Sequence, residues 1–215
     1  ITSPDNYPRM AARGGLGAVM GAKKIKYIVI DDSDGSLPEV KDKALLSAAV
    51  KEFSSGLLSH PLIGGLRAFG TPLLVNMINE MGAISAKNYS QGQFEGAEKI
   101  SGEHIAELLK DRPNGENSHR CMKGCVISCS NIYTDEQGND VVSGLEYETL
   151  ALMGANCMID DVDTIAAMNA ICNDVGLDTM DVGGAIAVAM EAGKIPWGDG
   201  NRALELLGEI TENTE

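Results

Sequence analysis

The chain has 215 residues, a formal net charge of −14, and 44% hydrophobic but only 4% aromatic residues. That length holds one large domain or two small ones, and the composition describes a folded core of small side chains rather than a disordered chain. The acidic balance argues against nucleic-acid binding, because phosphate backbones reward positive charge. No apolar run approaches the ~18 residues of a membrane-spanning helix.

The sequence opens Ile1-Thr2-Ser3-Pro4-Asp5, without methionine, and residues 209–215 trail off with no terminal signal, so a piece of a longer polypeptide is expected. No secretory apolar region stands at the start, and the free-thiol usage points to a reducing cytosol. Arg13-Gly14-Gly15-Leu16-Gly17-Ala18-Val19-Met20-Gly21 is glycine-dense with an arginine at its head. Glycines let backbone N–H groups approach an anion, and a guanidinium forks onto phosphate oxygens. The spacing is not the G-x-G-x-x-G of a dinucleotide site, and a tight turn between elements explains it equally well.

Residues 24–30 are apolar and β-branched and read as a strand, closed by the loop 31–36. Residues 38–59 carry Leu45, Leu46, Ala49, Val50 and Phe53 at helical spacing. Residues 72–81 restart a helix that Gly82 stops. Residues 88–100 read as a surface loop, residues 101–109 as a helix, and residues 111–118 as a polar loop. Two short apolar runs, 132–134 and 141–143, flank Asp135-Glu136-Gln137-Gly138 and predict a hairpin. From Glu146 on the chain is mostly helical. Residues 160–175 form a helix with Asp160 or Asp161 as its cap and Gly176 as its stop. Residues 179–192 form a small-residue helix, and a last helix begins at Arg202.

The densest chemistry lies at Cys121-x-x-x-Cys125-x-x-x-Cys129, three of only five cysteines. Thiolates are soft ligands for iron–sulfur clusters or zinc, and nearby His119, Arg120 and Lys123 favour the thiolate form. Three thiolates can hold three corners of a cubane cluster whose fourth ligand comes from elsewhere. Zinc with His119, or structural thiols, remain alternatives at this point. The glycine at 124 and the run Ser128-Cys129-Ser130-Asn131 argue against a regular helix here. Cys157 and Cys172 stand in apolar helical context and read as core.

Three blocks, in order, carry a resemblance. The first runs from Ala12 and Arg13 to Ala22 and Lys23. The second contains Gly70-Thr71-Pro72, Asn79-Glu80-Met81-Gly82-Ala83, Lys87-Asn88-Tyr89 and residues 94–103. The third holds the cysteines, then Glu146-Tyr147-Glu148-Thr149-Leu150, then Asn173-Asp174-Val175-Gly176-Leu177-Asp178-Thr179. Together they resemble the tungsten-containing aldehyde:ferredoxin oxidoreductases over nearly the whole chain.

The resemblance implies a mainly α fold with a short N-terminal β segment. Residues 1–36 would end an N-terminal cofactor-binding β domain, and residues 37–215 would form an incomplete helical middle domain. It implies a tungsten (or molybdenum) bis-pterin beside one [4Fe–4S] cluster. The reaction implied is oxidation of a small aldehyde or acyl substrate to a carboxylate, with electrons passing to ferredoxin or a similar carrier, and homo-oligomers fit it. The third domain, with the fourth cluster cysteine, would lie outside this chain, which alone would be inactive. A non-catalytic metal-binding module built on the cysteines is the competing reading.

Residue by residue, Arg13, Gly14 and Gly15 match the family's pterin-phosphate loop, and Cys121, Cys125 and Cys129 match its cluster ligands. Asn173, Gly176, Leu177 and Asp178 match a pterin-binding D-x-x-G-L-D loop. Glu148 matches an acidic residue near the metal, a partly desolvated carboxyl able to shuttle protons, with Tyr147 beside it as a donor. The bland alternative puts Glu146 and Glu148 in solvent at a helix N-terminus. Two departures stand out: three residues rather than two separate the first cysteine pair, and asparagine opens the loop in place of aspartate.

Overall fold

A computed structural model of the chain describes residue 10 and residues 13–212. The opening segment, and part of the β domain expected at its head, lie outside the described residues. So do residues 213–215, the tip of the trailing end.

Twelve labelled elements follow one another. They are α1 (Leu16–Ala22), α2 (Lys43–Ser59), α3 (Pro61–Phe69), α4 (Leu74–Glu80), α5 (Gly102–Asp111), β1 (Glu116–His119), β2 (Ser130–Thr134), β3 (Asp140–Ser143), α6 (Tyr147–Thr149), α7 (Val162–Val175), α8 (Thr179–Glu191) and α9 (Gly200–Glu212). The architecture is mainly helical around one small antiparallel sheet in the order β1-β2-β3.

Local chemistry accounts for most boundaries. Asp42 caps α2 through Leu45 N, Ser101 caps α5 through His104 N, and Asp161 caps α7 through Thr164 N. Each side chain satisfies an orphan N–H of the first turn. Gly176 ends α7 at φ 78°, a conformation that a β-carbon disfavours. The hairpin turn between β2 and β3 closes on Asp135, whose Oδ1 accepts from Gln137 N at 2.9 Å and Asn139 N at 2.8 Å.

The core gathers α5, β2, α7, α8 and α9 around Tyr133, Leu150, Met153, Ile165, Met168 and Ile186. Every residue of β2 is buried. Between α6 and α7 the chain tightens into a π-helical turn (Leu150–Gly154) and a 3₁₀ turn (Ala155–Cys157), packed on α8. Gly183 of α8 permits this contact: a β-carbon there would stand 2.6 Å from the Leu152 carbonyl. Cys157 and Cys172 are both fully buried, as expected.

Two expectations need correction. Residues 24–30 form no strand; they run irregular and exposed, with Tyr27 at 75% and Ile30 at 86% exposure. A β-branched run becomes a strand only by pairing, and among the described residues none pairs with it. Conversely β1 lies inside the stretch read as a polar loop. It forms because β2, an apolar strand, supplies its register: Glu116 opposite Ile132 and His119 opposite Ser130. From residue 13 to residue 59 no residue is buried, and α2 leaves Leu45 and Phe53 open.

Candidate cofactor site

The glycine stretch begins with two left-handed residues, Gly14 (φ 81°) and Gly15 (φ 75°), which turn the chain into α1. That turn aims Arg13 at the three-residue link between α7 and α8, Gly176-Leu177-Asp178. Its Nε donates to both carboxylate oxygens of Asp178, at 3.1 and 3.2 Å. A second guanidinium nitrogen stands 3.8 Å from Glu148 Oε1. Asp178 also caps α8, accepting from Met180 N at 3.3 Å. One basic and two acidic side chains from three distant segments therefore share one face.

Asp178 is 13% exposed, whereas Arg13 (50%) and Glu148 (43%) are open. Glu148 is still partly buried, its carboxylate facing the guanidinium. Tyr147 behind it is half-buried, and that burial, then the Glu148 charge, push its hydroxyl pKa above the ordinary value. Among the described residues, β-carbons at Gly14, Gly15 or Gly176 would meet nothing within 4 Å. Leu177 anchors the α7–α8 link, its N–H reaching Cys172 O at 2.8 Å and its side chain resting on the core. Asn173 sits half-buried in the last turn of α7.

The three cysteines occupy the loop between β1 and β2, clamped at its base by the His119–Ser130 pairing. This agrees with a non-helical reading of the segment. Met122 O accepts from Cys125 N at 3.3 Å, and Gly124 takes φ 84°, so the loop doubles back on itself. Arg67, in the last turn of α3, donates to Val126 O at 2.6 Å, and Arg120 Nε donates to Ser128 Oγ at 3.2 Å. Cys121 is exposed, Cys125 and Cys129 half-buried, and all three are free thiols. Burial first, then the Glu146 charge, push the Cys129 thiol pKa up.

Among the described residues, no group of three His, Cys, Asp or Glu side chains is drawn around one ion position. His119 turns its Nδ1 to Glu116 at 3.0 Å. Cys121, Cys125 and Cys129 are three free thiols on one loop, a soft donor set, and the His119 ring is engaged with Glu116.

Sequence reasoning missed four residues of this region. Glu146 Oε2 accepts from Thr71 Oγ1 at 2.5 Å, and Glu146 Oε1 accepts from Ser130 Oγ at 3.0 Å. Thr71 Oγ1 in turn accepts from Tyr147 N at 3.0 Å. Gly70, at φ 67°, lies so close to the cysteine loop that a β-carbon would stand 2.8 Å from Cys129 O. The Gly70-Thr71-Pro72, Glu146-Tyr147-Glu148 and Ser128-Cys129-Ser130-Asn131 stretches stood out in the sequence, but none of them named a partner.

The family model for aldehyde ferredoxin oxidoreductase, domains 2 and 3, matches residues 48–215. The chain belongs to this family. It is 37% identical to the tungsten-containing aldehyde ferredoxin oxidoreductase of Pyrococcus furiosus, over 85% of this chain and 29% of that relative. The Thermococcus kodakarensis protein of the same name is 38% identical over the same shares. The aliphatic sulfonate oxidoreductase, WOR-like subunit, of P. furiosus is 26% identical over 94% of this chain and 33% of its own length. The chain thus spans under a third of the curated relatives it matches. The family assignment accounts for the helical architecture and for the ordered blocks read from the sequence.

Proposed function

We propose that this chain is the part of a tungstopterin and iron–sulfur oxidoreductase that carries three cluster cysteines, one pterin-contacting loop and a proton-transfer carboxylate. The whole enzyme would oxidise an aldehyde to a carboxylate and deliver electrons to ferredoxin or a similar carrier in a reducing cytosol. The observation that carries the reading is the meeting of Arg13, Asp178 and Glu148 beside Gly14, Gly15 and Gly176, whose β-carbons would meet nothing within 4 Å among the described residues.

The residues fit the groups implied. Arg13 keeps guanidinium N–H donors beyond the one spent on Asp178, suited to a phosphate oxygen at a glycine-lined turn. Asp178 offers carboxylate lone pairs to pterin N–H groups, and the Leu177 and Gly176 backbone brings it there. Asn173 supplies an uncharged acceptor, a weaker contact than a carboxylate. The chemistry supplied by a bound tungsten or molybdenum bis-pterin is two-electron oxidation with oxygen transfer, and a [4Fe–4S] cluster passes single electrons onward.

The chain's own residues hold and move protons around that chemistry. Oxidising a hydrated aldehyde releases protons, and Glu148, 3.8 Å from Arg13, is placed to take one at its carboxylate and pass it to solvent. Tyr147 presents a neutral hydroxyl as a donor. Cys121, Cys125 and Cys129 would hold iron of such a cluster through Sγ, with a fourth ligand supplied from elsewhere. The test is metal analysis of the full-length protein purified without oxygen. Tungsten or molybdenum together with iron is expected; absence of all three overturns the reading.

A further inference from the structure

Glu146 has no assigned role, yet it is the junction between the cysteine loop and the Tyr147–Glu148 turn. Three separate contacts build this junction. Gly70 abuts the Cys129 carbonyl so closely that no side chain fits. Thr71, the next residue, donates to Glu146 Oε2 and accepts from Tyr147 N. Glu146 Oε1 takes the hydroxyl hydrogen of Ser130, the residue after Cys129. Behind it, buried Asn131 clamps Leu145 by two bonds of 2.9 Å, one to its N–H and one to its carbonyl. A hydroxyl donor on each carboxylate oxygen, with the preceding residue clamped by Asn131, leaves the carboxylate little freedom.

From this geometry we propose that Glu146 is a positioning residue whose fixed negative charge lowers the reduction potential of the cluster held by Cys129. A carboxylate fixed within reach of a cluster ligand disfavours the added electron, and net charge and nearby hydrogen bonds are established determinants of cluster potential. The hydrogen bonds hold the charge in one place, so its effect is not averaged away by side-chain motion. The same contacts tie the Tyr147–Glu148 turn to the cluster loop. The proposal rests on the cluster reading above.

The experiment is an EPR-monitored redox titration of the full-length, metal-loaded enzyme and its Glu146→Gln and Glu146→Asp variants, with iron content measured on each. Glu146→Gln keeps the shape and removes the charge; its midpoint potential is expected to rise with iron content unchanged. Glu146→Asp keeps the charge and is expected to shift less. An unchanged potential in Glu146→Gln overturns the proposal, as does an equal shift in both variants, which assigns the effect to packing. Loss of iron from Glu146→Gln also overturns it, since the side chain would then support the loop rather than tune it. A wild-type enzyme without any iron–sulfur signal overturns the cluster reading first, a different result from a cluster that is present and insensitive to residue 146.

Discussion

Arg13 and Asp178 are separated by 165 residues, and their side chains meet at 3.1 Å. The contact joins the glycine turn before α1 to the α7–α8 link, at the point where both carry family motifs. As an ion pair between a half-exposed guanidinium and a carboxylate it is worth at most about 1 kcal/mol of stability. Its importance is therefore placement.

Replacing Arg13 tests that statement. Arg13→Ala in the full-length enzyme is expected to change the unfolding midpoint little and to lower tungsten retention about tenfold, the loss of one charge-assisted hydrogen bond. Arg13→Lys should fall between, because an ammonium keeps the charge but not the fork. Metal content measured after dialysis, beside thermal unfolding, separates the two effects. Equal tungsten retention in all three proteins would remove Arg13 from the site.

The five cysteines should divide into two classes. Burial pushes the Cys157 thiol up to about 12 and the Cys172 thiol to about 11, so neither forms thiolate near neutrality. Alkylation of metal-free protein at about pH 8 should label Cys121 and Cys125 first, Cys129 more slowly, and the buried pair only on unfolding. Serine at 121, 125 or 129 should abolish the cluster's visible absorbance. Cys157→Ser should retain it. Mass mapping of the labels, with spectra of the serine variants, checks both.

A second ion pair is structural. Arg112, 8% exposed, forks onto Asp163 with both bonds at 2.7 Å, and Tyr133 donates to the same carboxylate at 2.8 Å. The guanidinium, with the tyrosine hydroxyl, holds the Asp163 carboxyl below its ordinary pKa. A depressed carboxyl stabilises the fold fully above its unfolded pKa of about 3.9 and loses that contribution as pH falls through the lower folded value. Neutral protein should be unaffected, and acid loss should begin below about pH 4. Asp163→Asn should remove this acid sensitivity and cost about 2 kcal/mol, discounted for the half-exposed carboxylate. Amide exchange in β2 and α7, followed against pH, reads both.

Two adjacent glycines of α8 should respond oppositely. A β-carbon at Gly183 collides with the Leu152–Met153 backbone, 2.6 Å from the Leu152 carbonyl, whereas one at Gly184 meets nothing within 4 Å. Gly183→Ala should destabilise by about 1–3 kcal/mol through overpacking and displace α8, whose cap is Asp178. Gly184→Ala should stabilise by about 0.5–1 kcal/mol through helix propensity. Chemical unfolding of the two variants, with metal retention beside it, distinguishes them.

The sequence made some elements plain because their signals are local. Ser101, Asp161 and Gly176 mark helix ends within one turn, and the 135–138 turn carries its own hydrogen bonds. Residues 24–30 misled, since a strand signal says nothing of whether a partner exists. The polar strand β1 escaped notice because only its pairing with β2 makes it a strand.

The same division runs through the site. Cysteine spacing, the glycine turn and the family blocks were written in residue order, so the chemistry on offer could be read without coordinates. Which of those groups face one another could not. Arg13 finding Asp178, and Glu146 standing between Ser130 and Thr71, are contacts across 165, 16 and 75 residues. They arise when β2, α7 and α8 bury their apolar faces against one another, a non-directional drive that brings the polar groups at their ends to fixed separations.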